Sequence, residues 1–255
     1  MKKSLKKILF TVLTVFAVFF VVACGNKEDA KINKEEVIKN FLEANNNIKS
    51  GDMLVNTTIF PKNGGEPMNV TVGVSLIVDP LTLKMTMETK GQNIKINSFI
   101  KDDVMYIQNP VDNTWIKQTL PKEVSEQFKH ITNNNIDNYE LFKDNLDKID
   151  IKEKDGNYLI SIVKDTDFLK EAMKKQNSNM GILGQGENFE VDNITLEYVV
   201  DKETYFTKSF VTSFETKIQG QDVKLSTSTE FSNINNIKEI TIPEEALNAF
   251  TIPGK

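Results

Sequence analysis

Hydrophobic and polar positions alternate along this chain in three regimes. The first is a charge-free apolar run, Ile8 to Ala23, rich in Val and Phe. The second begins at Lys34. Val37, Phe41, Ala44 and Ile48 recur there at three- and four-residue spacing, with Glu35, Glu36, Lys39 and Glu43 between them. That period predicts an amphipathic helix over 34–47, ended by Asn45-Asn46-Asn47. In the third regime the period drops to two. Val70, Val72, Val74, Leu76 and Val78 alternate along one stretch, with Thr71, Gly73 and Ser75 among the residues between them, and Leu81, Leu83, Met85 and Met87 alternate with Thr82, Lys84, Thr86 and Glu88. Alternation of this kind predicts strands with one apolar face.

Eleven strands follow from the same pattern. Six form a meander: 54–60, 70–78, 81–87, 94–100, 104–108 and 114–118. A hairpin comes next, 149–154 and 158–164, turned at Asp155-Gly156, a favoured two-residue turn. Three long strands finish the set: 191–200, 205–218 and 223–231. Two helical stretches lie between the meander and the hairpin. One opens at Pro121 with Val124, Phe128 and Ile131; the other carries Ile136, Tyr139, Phe142 and Leu146. Asp165 caps a short helix to about Lys175, and a final short helix starts at Ile242-Pro243. The fold class is α+β, a curved antiparallel sheet of about eleven strands, unclosed, wrapped over helices.

An inner sheet face of that size exceeds what one helix fills. Two arrangements stay open. Either the helices plug the face completely, or they leave an apolar cavity with Met85, Met87, Trp115, Phe210 and Phe214 among its walls. Methionine suits variable apolar ligands because it is flexible and polarizable. The Gly-rich segment Asn177–Asn188 holds Met180, Ile182 and Leu183 and reads as a loop with an apolar tip, a candidate lid.

The opening run carries its own chemistry. Lys2, Lys3, Lys6 and Lys7 precede it, and Val21-Val22-Ala23-Cys24 ends it. A basic region, an apolar region and a small residue before the cut make a secretory signal. The run is shorter than the roughly 20 residues that span a bilayer. The lone cysteine at its end resembles the bacterial lipobox, which implies diacylglyceryl attachment at Cys24 and cleavage before it. Two acyl chains suffice for stable anchoring, at about 0.8 kcal/mol per buried CH₂. The expected organisation is a signal peptide at 1–23, a lipidated tether at 24–33 and a single domain at 34–255. The expected location is the outer face of a cell membrane.

Composition narrows the function. The net charge of −5 becomes −9 once the four signal lysines are removed. An acidic body disfavours non-specific binding to nucleic acid or to anionic lipid. All 31 basic residues are lysine, so the bidentate guanidinium fork for phosphate and carboxylate is missing. With Cys24 acylated, the mature chain has no thiol left for a disulfide. His130 is the only histidine, which rules out the common zinc ligand sets. There is no Gly-x-Ser-x-Gly elbow and no Gly-rich phosphate loop. Asp144, Asp147, Asp150 and Asp155 do not have the spacing of an EF-hand. The reading is a non-enzymatic protein with no catalytic residues, no metal and no cofactor.

The order of lipobox, tether, helix, meander, central helices and final meander resembles the LolA-like superfamily, which includes the LppX and LprG lipoproteins. It looks closer still to a family of Gram-positive surface lipoproteins. The resemblance rests on Asp103-Val104-Met105-Tyr106 with Thr114-Trp115-Ile116-Lys117, on Val200-Asp201-Lys202-Glu203-Thr204-Tyr205, and on Ile240-Thr241-Ile242-Pro243. It implies an unclosed half-barrel over helices that binds a lipid or other amphiphile. A protein-interaction or sensing module with a closed core is the alternative.

Overall fold

The central strand of the sheet is the first one the chain lays down. In the computed structural model, which describes residues 32–90, 94–122, 142–162, 167–171, 191–218 and 220–252, a helix α1 (Lys34–Asn46) leads into β1 (Ser50–Pro61). There follow β2 (Met68–Ile77), β3 (Thr82–Thr89), β4 (Ile94–Lys101), β5 (Val104–Gln108) and β6 (Trp115–Thr119). Then come β7 (Asp150–Lys154), β8 (Asn157–Ile162), β9 (Asp192–Asp201), β10 (Thr207–Ile218) and β11 (Gln221–Ser232). A short helix α2 (Glu244–Leu247) and β12 (Phe250–Thr251) end the chain. The spatial order is β12-β6-β5-β4-β3-β2-β1-β11-β10-β9-β8-β7, a single unclosed sheet. All pairings are antiparallel except β12 on β6. Ile32–Lys255 forms one compact unit.

The alternating pattern placed the strands well. Eleven were expected. The twelfth, β12, is two residues long and too short to show a period; its parallel pairing on β6 gives it away only in three dimensions. The apolar run with Cys24, His130, most of the two central helical stretches and the segment holding Met180, Ile182 and Leu183 lie outside the described residues.

α1 begins as its sequence requires. Asn33 caps it, its side-chain oxygen accepting from the Glu36 amide at 3.3 Å while its own amide donates back to the Glu36 carboxylate. Glu35 and Glu36 in the first turn suit the positive end of the helix dipole. The buried face is Val37, Ile38, Phe41 and Leu42. It is rotated from the expected stripe, because Ile38 and Leu42 go inward while Ala44 and Ile48 stay half-buried. Asn45 does more than end the helix. Its amide donates to the Tyr205 carbonyl at 3.2 Å, and its oxygen accepts from the Thr207 hydroxyl at 3.0 Å, which clamps the helix to the β9–β10 turn. At the other end the Lys34 ammonium donates to the Ile149 carbonyl at 2.5 Å.

The turns account for the sequence motifs. Asp102 and Asp103 both adopt positive φ in the β4–β5 turn, as do Asp155 and Gly156 between β7 and β8; two consecutive positive φ values match the right-handed twist of a hairpin. Between β9 and β10 the Asp201 carboxylate accepts from the amides of Glu203 and Thr204 and from the Thr204 hydroxyl. Lys208 pairs with it at 2.8 Å. These bonds hold its pKa well below the usual carboxylate range. The segment Val200–Tyr205 is thus a turn device.

Two apolar clusters hold the sheet, and register puts them on opposite faces. α1 packs on Ile151, Tyr158, Ile160, Ile162, Ile194, Val200 and Phe214, covering β7–β10 on what we call the helix face. The C-terminal segment packs Ile240, Ile242 and Ala246 on Phe99 and Tyr106, with Ile77, Val104 and Trp115 alongside. Those strand residues alternate onto the other face, the tail face. The tail is fastened where it crosses the start of β1: the Asn235 side-chain oxygen accepts from the Lys49 amide at 2.6 Å, and the Ser50 hydroxyl oxygen accepts from the Ile237 amide.

Candidate functional site

Beside the α1 cluster lie β11, β1, β2, β3 and β4, of which β2 and β4 give Ile77 and Phe99 to the other cluster from the tail face. Antiparallel register lines up their helix-face side chains in rows across the strands. One row runs Phe210, Thr229, Val55, Val72, Met87, Ile96. The next runs Phe231, Met53, Val74, Met85, Ser98. A third runs Thr212, Thr227, Thr57, Val70, Thr89, Ile94. No charged residue alternates onto this face in β1, β2, β3, β4, β10 or β11.

The apolar residues of this strip are not core. Met53, Val55, Val70, Val72, Val74, Met85 and Met87 are all half-buried, whereas the flanking α1 cluster contains side chains sealed from solvent, such as Ile38 and Ile160. One link joins strip and core. Phe41 of α1 meets Tyr198 with ring centroids 5.2 Å apart, Tyr198 meets Phe210 at 5.6 Å, and Phe210 meets Phe231 at 6.0 Å. This aromatic file runs from the helix onto the strip. Burial pushes the Tyr198 hydroxyl up to about 12. Tyr158, stacked on Tyr205 at 5.8 Å, is also raised to about 12, first by burial and then by its hydrogen bond with Tyr205.

Hydroxyls punctuate the apolar strip. The Thr57 and Thr227 hydroxyls bond each other at 3.0 Å, and the Thr212 hydroxyl donates to the Thr195 carbonyl at 3.1 Å. The tail face of the same strands is polar and internally bonded. Thr71 donates to Asn56 at 2.9 Å, Thr86 to Asn97 at 3.0 Å, and Asn97 to Gln108 at 2.7 Å. The sheet therefore presents an apolar, uncharged face and a hydrogen-bonded polar face over the same strands.

Of the five wall residues read from the sequence, Met85, Met87, Phe210 and Phe214 share the helix face. Met87 and Phe210 even stand in one row. Phe214, however, is buried in the α1 cluster, so it supports the core beside the strip. Trp115 lies on the tail face, 5.8 Å from Phe99, under the C-terminal segment. It stands apart from the methionines; sequence alone does not give the register of β6. Register pairs Trp115 with Gln108, whose neighbour across the strands is Asn97, and so fixes the opposite face. The sequence reading passed over Met53, Val55 and Phe231. Their signal was present, since Met53, Val55, Thr57 and Ile59 alternate in β1, but strong polar neighbours such as Asn56 blurred it.

The strip is an apolar, uncharged surface of half-buried side chains. It holds no group for proton transfer or metal ligation, and among the described residues no cluster of three or more His, Cys, Asp or Glu is placed to hold a metal. No described helix is long and apolar enough to cross a membrane.

The chain is similar to the lipoprotein LppX of Mycobacterium tuberculosis, at 11% identity and TM-score 0.46, over 82% of this chain and 98% of that one. It is similar to LprF of Mycobacterium bovis, at 12% identity and TM-score 0.44, over 84% and 97%. A LolA superfamily protein of Nitrosomonas europaea also matches, at 7% identity and TM-score 0.27, over 84% and 96%. No curated protein sequence matches the chain. A family model does, over residues 33–251, and the chain therefore belongs to the family described as "Family of unknown function (DUF6612)".

Proposed function

We propose that this protein is a lipoprotein, lipid-anchored on the outer face of the cell membrane, that binds a lipid or other amphiphile, without catalysis, against the helix face of its sheet. The observation that carries the reading is the uncharged strip over β11–β4, whose valines and methionines stay half-buried beside the sealed α1 cluster. A contiguous apolar surface left partly open in a folded chain marks an interaction site. Met53, Met85 and Met87 supply adaptable contacts for chains of differing length and unsaturation. The signal run and Cys24 supply the anchor, and the tether from residue 25 holds the domain near the bilayer from which the ligand comes. The segment with Met180, Ile182 and Leu183 is the proposed lid.

Native mass spectrometry of residues 25–255, with organic extraction of the same sample, tests the reading. A reproducible lipid-sized adduct, released on unfolding and missing from a control protein, is expected. A clean apo mass that persists when membrane lipids are offered overturns it and leaves the interaction-module alternative. For the anchor, the mass of the membrane-extracted protein should correspond to a chain beginning at acylated Cys24. Cys24→Ala should release the protein to the medium or leave it unprocessed.

A further inference from the structure

Antiparallel pairing divides the hairpin turns of this sheet between two ends. The β1–β2, β3–β4, β5–β6 and β10–β11 turns share one end, called upper; the β2–β3, β4–β5, β7–β8 and β9–β10 turns share the other. The two ends differ in charge. In the upper turns Lys62 and Lys90 balance Glu66 and Asp112. In the lower turns Asp79, Asp102, Asp103, Asp155 and Glu203 outnumber Lys202, leaving four net negative charges.

Exposed apolar side chains follow the same division. Val111 stands in the β5–β6 turn at 88% exposure. Phe60, Met68 and Ile94, at 40%, 41% and 37%, stand at the strand ends that border the β1–β2 and β3–β4 turns. Among the described residues, no turn of the lower end carries an exposed large hydrophobic. Val111 is not a loose tip. The Asn109 side-chain oxygen accepts from its amide at 3.0 Å, the Asn113 amide donates to the Asn109 carbonyl at 2.9 Å, and the Asp112 carboxylate accepts from the Thr114 amide and hydroxyl. A bonded turn thus holds a valine out in water, where turns ordinarily place Gly, Pro, Asn, Asp or Ser. Met68 pairs with Ile59, and Ile94 ends the row through Thr57 and Val70, so both lie on the helix face, at the upper margin of the strip.

The chain enters the domain at this same end. α1 starts where Lys34 donates to the carbonyls of Leu146 and Ile149, just before β7, and it ends where Asn45 grips the β9–β10 turn at the lower end. Nine residues, Gly25 to Asn33, separate α1 from Cys24. A flexible tether of that length has a root-mean-square span of about 15–18 Å. α1 alone covers about 20 Å. A domain anchored at Cys24 therefore keeps its upper end toward the bilayer.

We infer that the upper end is a membrane-docking rim: Val111, Phe60, Met68 and Ile94 rest in the headgroup region of the bilayer that holds the anchor. This rests on the anchor reading above and adds to it the face that the domain turns to the lipid. Apolar side chains gain by burial in that region. The neutral upper turns meet no repulsion from anionic headgroups, whereas the acidic lower turns are repelled. Docking in this sense sets the margin of the strip against the lipid from which a ligand comes.

Residues 25–255 contain no cysteine, so one introduced thiol takes one label. For the test, the domain is held by an N-terminal polyhistidine tag on nickel-chelating lipid in phosphatidylcholine–phosphatidylglycerol vesicles, in place of the acyl anchor. A nitrobenzoxadiazole label on Val111→Cys should shift its emission to the blue and be quenched by lipid spin-labelled near the headgroup. The same label on Glu203→Cys, in the lower β9–β10 turn, should keep its aqueous emission and stay unquenched. A label on Glu66→Cys, in the β1–β2 turn, checks that the rim docks without a label at its tip. It should be quenched, and adding Val111→Asp should remove most of that quenching without moving the urea midpoint, since this side chain is almost wholly in water. Equal responses at positions 111 and 203, or none at 111, overturn the inference and leave the anchor standing. So does quenching at position 66 that Val111→Asp leaves intact. A membrane-extracted chain without acyl groups on Cys24 overturns the anchor, and this inference with it.

Discussion

Ile38→Ala and Met87→Ala make a matched test of whether the strip is open. Ile38 is 1% exposed and sits in the α1 cluster against the β7–β10 end of the sheet. Truncating it removes three carbons from a sealed site and leaves a cavity that the cluster does not fill. The cost is the transfer term plus the cavity term, about 3–4 kcal/mol. Met87 loses as many heavy atoms, but it borders solvent, so water or neighbouring side chains enter the space. The cavity term drops out, and only part of the transfer term remains, about 1 kcal/mol. For a chain of this size these convert to roughly 6–16 °C and 2–4 °C in Tm. Urea unfolding of residues 25–255 measures both. Trp115 is the only tryptophan and lies in the other cluster, so its fluorescence reports global unfolding without touching either site. If Met87→Ala costs as much as Ile38→Ala, the strip is sealed core in solution, and the argument for a binding face collapses.

Three further outcomes follow from the side-chain bonds. Asn45→Ala should cost about 2 kcal/mol, because it strands the buried Thr207 hydroxyl and unclamps α1; a change within error in urea melts would mean that the clamp is idle. Tyr158 and Tyr198 are raised to about 12 in the fold against about 10 when unfolded. The neutral phenols are favoured by folding, so their contribution is complete below pH 10 and is lost as pH climbs from 10 to 12. Absorbance titration near 295 nm should show two late tyrosines, and Tyr198→Phe should flatten the alkaline loss. The Asp201 carboxylate is shifted the other way. Its contribution is complete above about pH 4 and disappears as pH falls through its depressed value, so the stability gap between wild type and Asp201→Ala should narrow in acid.

Strands were legible in this sequence because alternation is a local signal. Asp155-Gly156 located a turn for the same reason: a turn needs a backbone conformation that few residues adopt. Faces were less legible. The alternation of Thr114-Trp115-Ile116-Lys117 says that Trp115 and Ile116 point opposite ways. It does not say which of them joins Met85, because that depends on pairing through β5 and β4. α1 shows the same limit. Its sequence presents two overlapping apolar stripes, and packing on Ile160 and Ile194 selected the one with Ile38 and Leu42. The burial of Thr229 was not readable at all. Nothing local distinguishes it from Thr227 two residues earlier, yet Thr227 finds Thr57 across the strand pair and Thr229 faces Val55.

An open strip raises the question of what keeps its strands together. A central strand normally derives its stability from packing on at least one face, and β1–β3 have few sealed side chains on either. Their tail face offers a substitute. Asn56 with Thr71, Asn97 with Thr86 and Gln108, and Asp52 with Ser75 and Asn233 bond strand to strand through side chains. Cross-strand pairs of this kind contribute roughly 0.2–1 kcal/mol each, and they do so without covering the opposite face. The Ser, Thr and Asn content of these strands, which by composition alone looks like a weak core, then has a physical role. Stability is supplied from the polar side and from the two ends, where α1 and the tail seal opposite faces. The apolar side of the middle is left free of the duty to be core, which is the condition a lipid-binding face has to meet.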